Sequence, residues 1–403
     1  MSGLQVHAPS RLLDVAALRA ETPGCGGLIH FNNASCTLPP RQVLEAVRAH
    51  HQREALDGPS EAGVAAAEAV QDTRRAAATL LNADVDEIAL GTGGSQLWGV
   101  AFASLPPLRA GDRVLVGRHE WGGNLSVLHR AAARSGASVE VIPCDDSGAV
   151  SPDGLAAMLD DRVKLVSLTW CPATNGVVNP AAAIGRITRA AGVPYFIDAG
   201  QALGQMPVDV RDLQCDMLKG AGRKALRGPR GTAVMYVRRG FLDQMDPPYV
   251  DVQAAPWQTG LPCLRPDARR FEMSEAAIAL QLGLGDGIRL ALSLGLPAIR
   301  QRINALAEQV RTELAAVPGV RIHDAGTERS GLVAFTVAGH SAGAVRDALA
   351  RDRITIGAIA AAYGPLDMAA RGLPEVARAS VSVLTTEEEI GALVSAVAAV
   401  ARS

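Results

Sequence analysis

The chain has 403 residues, 48 % of them apolar and 20 % charged, with a net charge of -2. That mixture supports a large packed core and excludes wholesale disorder. It also lacks the cation excess that a nucleic-acid binder uses to displace phosphate counterions.

Length allows two or three domains. Aromatics are only 3 %, so the interior is mostly Ala, Val, Leu and Ile. The start, Met-Ser-Gly-Leu-Gln-Val-His, has no basic segment leading into an apolar run, and no apolar stretch is long enough to span a bilayer. A cytoplasmic protein with no membrane partner is the expectation. Cys25, Cys36, Cys144, Cys171, Cys215 and Cys263 form no CxxC pair. They read as buried small apolar residues of a reducing compartment, with no disulfide frame and no metal site.

In chain order, a short helix is predicted near Leu12–Ala20, then strands at Glu87–Leu90, Arg113–Val116, Ser138–Ile142, Val163–Thr169, Val193–Ile197 and Thr232–Val237. Helical patterns lie between them, among them Ser95–Leu105, Leu125–Ser135 and Pro180–Ala191. This alternation predicts a mostly parallel sheet covered on both faces, with ligands at the carboxyl ends of its strands.

The first of those ends carries Gly91-Thr92-Gly93-Gly94-Ser95. Glycines admit an anion close to the backbone, and a helix start offers unpaired N–H groups, so a phosphate is the natural guest. A dinucleotide fingerprint fits less well, because the glycine spacing is incomplete and the next acid, Asp112, precedes a strand. The second end carries His119-Glu-Trp121-Gly-Gly-Asn124, where Trp121 offers a flat surface for stacking on a ring. His119 is the histidine nearest this crevice.

The run Val193-Pro-Tyr-Phe-Ile-Asp198 ends a strand with a carboxylate, 26 residues before Lys224 in a glycine-bracketed basic turn. The chain holds only three lysines, Lys164, Lys219 and Lys224, against 36 arginines. A lysine amine for an imine and an aspartate for a ring nitrogen are what pyridoxal 5'-phosphate requires, and a guanidinium cannot replace the amine. Arg223 and Lys219 flank Lys224 and can supply charge to a phosphate, whereas Arg227 and Arg230 serve structural ion pairs equally well. After a Pro- and Gly-rich excursion at Pro247–Pro266, the texture changes to a helix at Leu296–Ala316, strands at Val320–His323 and Leu332–Val337, and a helix at Ala342–Asp352. Ile354–Ile356, a loop, the strand Ala379–Leu384 opened by Arg378, and a helix from Thr386 to Ala401 complete a smaller α+β unit. A guanidinium there suits a substrate carboxylate.

Together these pieces resemble the class V, cysteine desulfurase-like aminotransferase family of fold type I pyridoxal-phosphate enzymes. The matching motifs are His30-Phe-Asn-Asn33, Gly91-Thr-Gly-Gly94, Glu120-Trp-Gly-Gly-Asn124, Pro172-Ala-Thr-Asn-Gly-Val-Val-Asn-Pro180 and Asp198-Ala-Gly-Gln201. Gly222-Arg-Lys224, Arg227-Gly-Pro-Arg-Gly231, Arg269-Arg-Phe-Glu272 and Arg378-Ala-Ser-Val381 continue the series. The resemblance implies a mostly parallel seven-stranded sheet in a large domain over 26–285, a small α+β domain over 286–403, and a segment 1–25 packed on the latter. It implies that Lys224 forms the imine, Asp198 pairs with the ring nitrogen, Gln201 bonds the ring oxygen and Trp121 stacks on the ring. Gly93, Gly94 and Arg223 would receive the phosphate. Thr174 would line the loop facing cofactor and amino acid, and Asn33 and Arg378 would orient the carboxylate. Relatives are homodimers, with Arg270–Glu275 reaching the partner's cofactor.

Departures narrow the activity. Positions where relatives place His before the lysine and Ser or Thr three residues before it hold Arg223 and Ala221, and Ile356–Gly364 has none of the sulfur-accepting cysteine of the desulfurases. The arginine-rich lysine turn is most similar to a bacterial subgroup of ergothioneine-pathway C–S lyases, lincosamide-pathway enzymes and isopenicillin-epimerase-like proteins. The resemblance therefore implies a C–S β-lyase acting on an S-substituted L-cysteine. Decarboxylating oxidative deamination, epimerisation or aminotransfer, and a non-catalytic cofactor fold are the alternatives.

Overall fold

The computed structural model describes residues 13–403. Residues 1–12, the first part of the predicted N-terminal segment, lie outside the described residues. A seven-stranded sheet forms the centre: β1 (Ile88–Gly91), β2 (Arg113–Gly117), β3 (Ser138–Ile142), β4 (Val163–Thr169), β5 (Tyr195–Asp198), β6 (Met217–Ala221) and β7 (Ala233–Val237). Their order is β1-β7-β6-β5-β4-β2-β3. β2 to β6 run parallel and β7 pairs antiparallel with both neighbours.

The apolar runs are continuous because both faces are covered. Leu115, Val166, Ile197 and Leu218 enter one core cluster. Their alternates Val114, Val116, Leu165, Phe196 and Met217 enter another, where the fully buried Trp98 meets Phe196 edge-on. Connecting helices include α1 (Gly94–Ala103), α2 (Gly122–Ser135) and α3 (Ala181–Ala191). The last two stop at Gly136 and Gly192, whose positive φ of 76° and 67° provides the left-handed turn that ends a helix.

α4 (Ile278–Leu294) and α5 (Leu296–Ala315) follow, bent by 82° at Gly295. Among the described residues no single helix is long and apolar enough to cross a membrane. A second sheet, all antiparallel, contains β8 (Val320–Ile322), β9 (Leu332–Val337), β10 (Gly357–Ala360) and β11 (Glu375–Ser380) in the order β8-β9-β11-β10. Helices α6 (Ala342–Ala350), α7 (Pro365–Ala370) and α8 (Glu387–Ala401) pack with it, α8 opening on a Thr386/Glu389 capping box. Val333, Phe335 and Ala377 of this sheet share a core cluster with the large one.

Three readings are corrected. The strand expected at Ala379–Leu384 is β11, four residues earlier, so Arg378 lies inside it between Ala334 and Gly357. Val381–Leu384 mimicked a strand because it is an apolar run buried in a loop. Met217–Ala221, part of the predicted lysine turn, is a central strand. Only Cys171 and Cys215 are buried, the other four cysteines being partly exposed and all six free. The described N-terminal helix, Val15–Ala20, ties to α8 through an Arg19–Glu389 pair at 2.9 Å. Within the predicted excursion, Trp257–Gln258 and Leu261–Pro262 form an exposed hairpin.

Candidate active site

The carboxyl ends of β1, β2, β4, β5 and β6 converge on one crevice. Asp198 closes β5, and parallel register sets it beside Lys219 of β6. Lys219 Nζ stands 2.5 Å from Asp198 Oδ2, with both side chains only 7 % exposed. Asn124 of α2 donates to the same oxygen at 3.2 Å, and the Gly200 N–H donates to Oδ1 at 2.9 Å.

Lys224 follows β6 on the turn and is partly accessible. A Cβ placed on Gly200 would lie 3.0 Å from Asp198 Oδ1, 3.3 Å from Lys224 Nζ and 4.0 Å from Lys219 Nζ. Three charged atoms thus surround a space that only glycine leaves open.

Burial alone would raise the Asp198 carboxyl, but Lys219 and Lys224 outweigh it and hold the group below the ordinary carboxylate range. Burial lowers Lys224 to about 7; Asp198 opposes the fall while Lys219, Arg223 and Arg378 add to it. Behind Asn124, Glu120 is fully buried and accepts from Asn124, Thr169 Oγ1 and Ser167 Oγ. Its burial raises it despite these donors. Asn124 therefore fixes the spacing between two buried carboxyls.

Arg378 is 1 % exposed. Its Nη1 donates to Ala173 O at 2.9 Å and its Nη2 to Ser35 Oγ at 2.9 Å and Asn32 Oδ1 at 3.3 Å, while Nε has no partner among the described residues. Burial, then Arg223, lowers it to about 10. Asn32 is the asparagine at this guanidinium. Asn33 turns the other way, donating to His30 O and Ser380 O.

Other predicted site residues are placed as follows. Gly93 and Gly94 open α1, which has no side-chain cap, and a Cβ on Gly94 would come within 3.3 Å of Lys219 Nζ. Gln201 is buried with Nε2 on Ala34 O. Thr174 Oγ1 faces Asp367 at 3.3 Å. Arg223 Nη1 lies 3.6 Å from Cys36 Sγ. His119 is buried, lowered to about 4 mainly by desolvation, and stands 3.6 Å from Asp367.

Trp121 packs against Tyr363 at 5.3 Å between ring centroids. Tyr363 lies in the stretch first noticed for lacking a cysteine, and its aromatic ring was the available signal. Asn124 and Glu120 stood in a quoted motif, but only the fold reveals that they back Asp198.

A family model described as aminotransferase class-V matches residues 29–393. The chain belongs to the class-V aminotransferase family. Among its relatives, a probable cysteine desulfurase of Xylella fastidiosa is 29 % identical over 92 % of this chain and 90 % of its own. A cysteine desulfurase of Thermococcus onnurineus shares the fold at a TM-score of 0.90, 24 % identical, covering 98 % of this chain and 99 % of its own. The cystine C–S lyase C-DES, solved with its product cysteine persulfide, superposes at 0.85 and 25 % identity over 94 % and 99 % of the two chains.

Class-V aminotransferases use pyridoxal 5'-phosphate, and this chain is an enzyme that depends on it. The residues fit that group. Lys219 and Lys224 face one carboxyl, Asp198, held below the ordinary range, and Arg223 and Arg378 add positive charge around Lys224, so the crevice is short of negative charge. An anionic phosphate at the uncapped start of α1 and a substrate carboxylate at Arg378 would balance it. The amine of Lys224 and the glycine-walled space beside Asp198 suit an aldehyde on a flat ring.

Proposed function

We propose that the protein is a C–S β-lyase that cleaves an S-substituted L-cysteine, with one water consumed, to a thiol, pyruvate and ammonia. The observation that carries this reading is the segment facing Trp121: it presents Tyr363, and no cysteine lies between Gly357 and Ala370. Relatives named for desulfurising cysteine or cleaving the C–S bond of cystine support C–S chemistry in this chain.

Bound in the crevice, pyridoxal phosphate supplies an electron-withdrawing ring conjugated to the substrate's α-carbon. Gly93, Gly94 and Arg223 would hold its phosphate, Asp198 would pair with its ring nitrogen, Gln201 with its ring oxygen, and Trp121 would stack on the ring, with Thr174 in the adjoining loop. Arg378, its Nε free and Asn32 beside it, takes the substrate carboxylate and fixes which bond at the α-carbon faces Lys224. Lys224 Nζ, lowered to about 7, is neutral often enough at physiological pH to accept the α-proton. It then returns that proton to the departing sulfur. Asn33, donating to Ser380 O at the end of β11, supports this end of the site from behind. An S-glycosylated cysteine of secondary metabolism, as in antibiotic biosynthesis, a cytoplasmic setting and a homodimeric state belong to the same proposal.

The test is to incubate the holoenzyme with S-alkyl and S-glycosyl cysteines. Thiol and pyruvate in equal amounts are expected. Carbon dioxide with an aldehyde, α-proton exchange alone, or alanine with a protein persulfide from free cysteine would each overturn the reading in favour of another class.

A further inference from the structure

Asp367 of α7 is a carboxylate only 2 % exposed, and several stretches of chain meet on it. Its Oδ2 accepts from Asn175 Nδ2 at 3.0 Å and Thr174 Oγ1 at 3.3 Å, both in the loop after β4, and from Arg371 Nη2 at 2.5 Å. His119, just after β2, stands 3.6 Å from Oδ1. Arg371 extends the network by donating through Nη1 to His323 O, beside β8, at 2.8 Å. Burial of the carboxylate is tolerated because these donors replace water, and the same donors fix its place.

The residues around Asp367 reinforce it. Leu366 packs against the cluster that holds Trp98 and Phe196 of the large sheet, while the fully buried Met368 joins Ala334, Ile359 and Val376 of the small one. Two glycines permit close contact upstream. A Cβ on Gly122 would fall 2.0 Å from Ala362 O, and one on Gly364 would fall 2.9 Å from Thr174 Cγ2. The segment is thus pinned on both sides of Tyr363, by Ala362 at the start of α2 and by Gly364 and Asp367 at the loop after β4. Tyr363 itself is 48 % exposed. Its ring packs against Trp121, and it is near enough to act electrically on Arg378. A half-exposed aromatic beside both residues offers an apolar face to whatever extends beyond the β-carbon of a bound amino acid.

We propose that Asp367 is a positioning residue: by clamping this segment against α2 and the loop after β4, it fixes Tyr363 as a platform for a bulky, ring-bearing S-substituent. The inference rests on the substrate being an S-substituted cysteine. An exposed side chain with one aromatic contact does not hold a single position by itself. The buried residues beside it order it before substrate arrives, which lowers the cost of binding. A methyl substituent is too short to profit from the platform, whereas a ring can lie against it.

The test uses the holoenzyme and two probes, S-benzyl- and S-methyl-L-cysteine, with dissociation constants read by rapid mixing from the initial change in cofactor absorbance. Wild type is expected to bind the benzyl compound more tightly. Asp367→Ala is expected to reduce that preference about fivefold and to speed chymotryptic cleavage after Tyr363. In a Tyr363→Ala background the same substitution should take nothing further from the preference, because it acts through that ring. Should Asp367→Ala fail to fold, Gly364→Ala displaces the segment from Thr174 while keeping the ion pair, and it should repeat the effect. A wild type without the preference, an equal loss for both probes, or a full additional loss in the Tyr363→Ala background overturns the proposal. Failure of the β-lyase reading is distinct, because both probes then bind and no thiol is released.

Discussion

Two buried ion pairs in this molecule have opposite characters. Arg311 and Asp324 meet at 2.7 Å beside the small sheet. Asp324 also accepts from the Gly176 and Ala334 N–H groups, and Arg311 donates to the Ser330 and Leu332 carbonyls. Burial raises Asp324 in spite of Arg311. At Lys219 and Asp198 the same burial is overruled by two lysines, and the neighbourhood is left incomplete: Arg378 Nε and Asn124 Oδ1 have no partners among the described residues. A closed network holds the α4–α5 side and the Gly176 loop together, whereas an open one waits for ligand charge.

The largest expected effect separates the two regions. Lys224→Ala should cost on the order of 10⁴-fold in turnover with little change in melting temperature, measured by steady-state kinetics and calorimetry. Asp324→Ala should do the reverse. It strands Arg311 and costs about 3–5 kcal/mol of stability, seen in denaturant titration, while kcat per folded molecule stays near wild type. If Asp324→Ala lost activity without losing stability, the contrast would fail.

Arg378→Lys comes next. Losing a planar fork on a carboxylate removes about 1.5–3 kcal/mol, so KM should rise roughly tenfold or more for α-amino acids, with cofactor binding retained. An unchanged KM would remove Arg378 from the substrate site.

Protonation sharpens the comparison further. Lys224 is depressed from 10.5 to about 7, so its amine is charged and unreactive below that pH and neutral above it. The rate of cofactor uptake by apoenzyme, followed by absorbance, should therefore rise through about pH 7 and then level off. In Lys219→Met the midpoint should move upward, because a neighbouring cation has gone. The smallest effect belongs to Tyr363→Ala, which loses an aromatic contact with Trp121 of about 0.5–1.5 kcal/mol and should change KM for bulky S-substituents more than kcat.

Much of this was legible in the chain itself. Six of the seven central strands are apolar runs that announce themselves, and Asp198, Lys224 and the Gly93–Gly94 helix start follow strand ends as α/β sheets require. β6 escaped notice because Lys219 and Gly220 break its pattern, and a buried lysine makes sense only once register sets Asp198 beside it. β11 was displaced for a related reason: Arg378 in its middle reads as surface, while Val381–Leu384 reads as core. Asn32 and Asn33 cannot be told apart by sequence, since one residue of phase decides which faces the guanidinium.

Borohydride reduction of the yellow holoenzyme, followed by peptide mass mapping, bears most directly on the account. With only three lysines in the chain the outcome is unambiguous. The pyridoxyl mass should be found on Lys224 alone, with Lys219 unmodified. A label on Lys219, or none on any lysine, would contradict it.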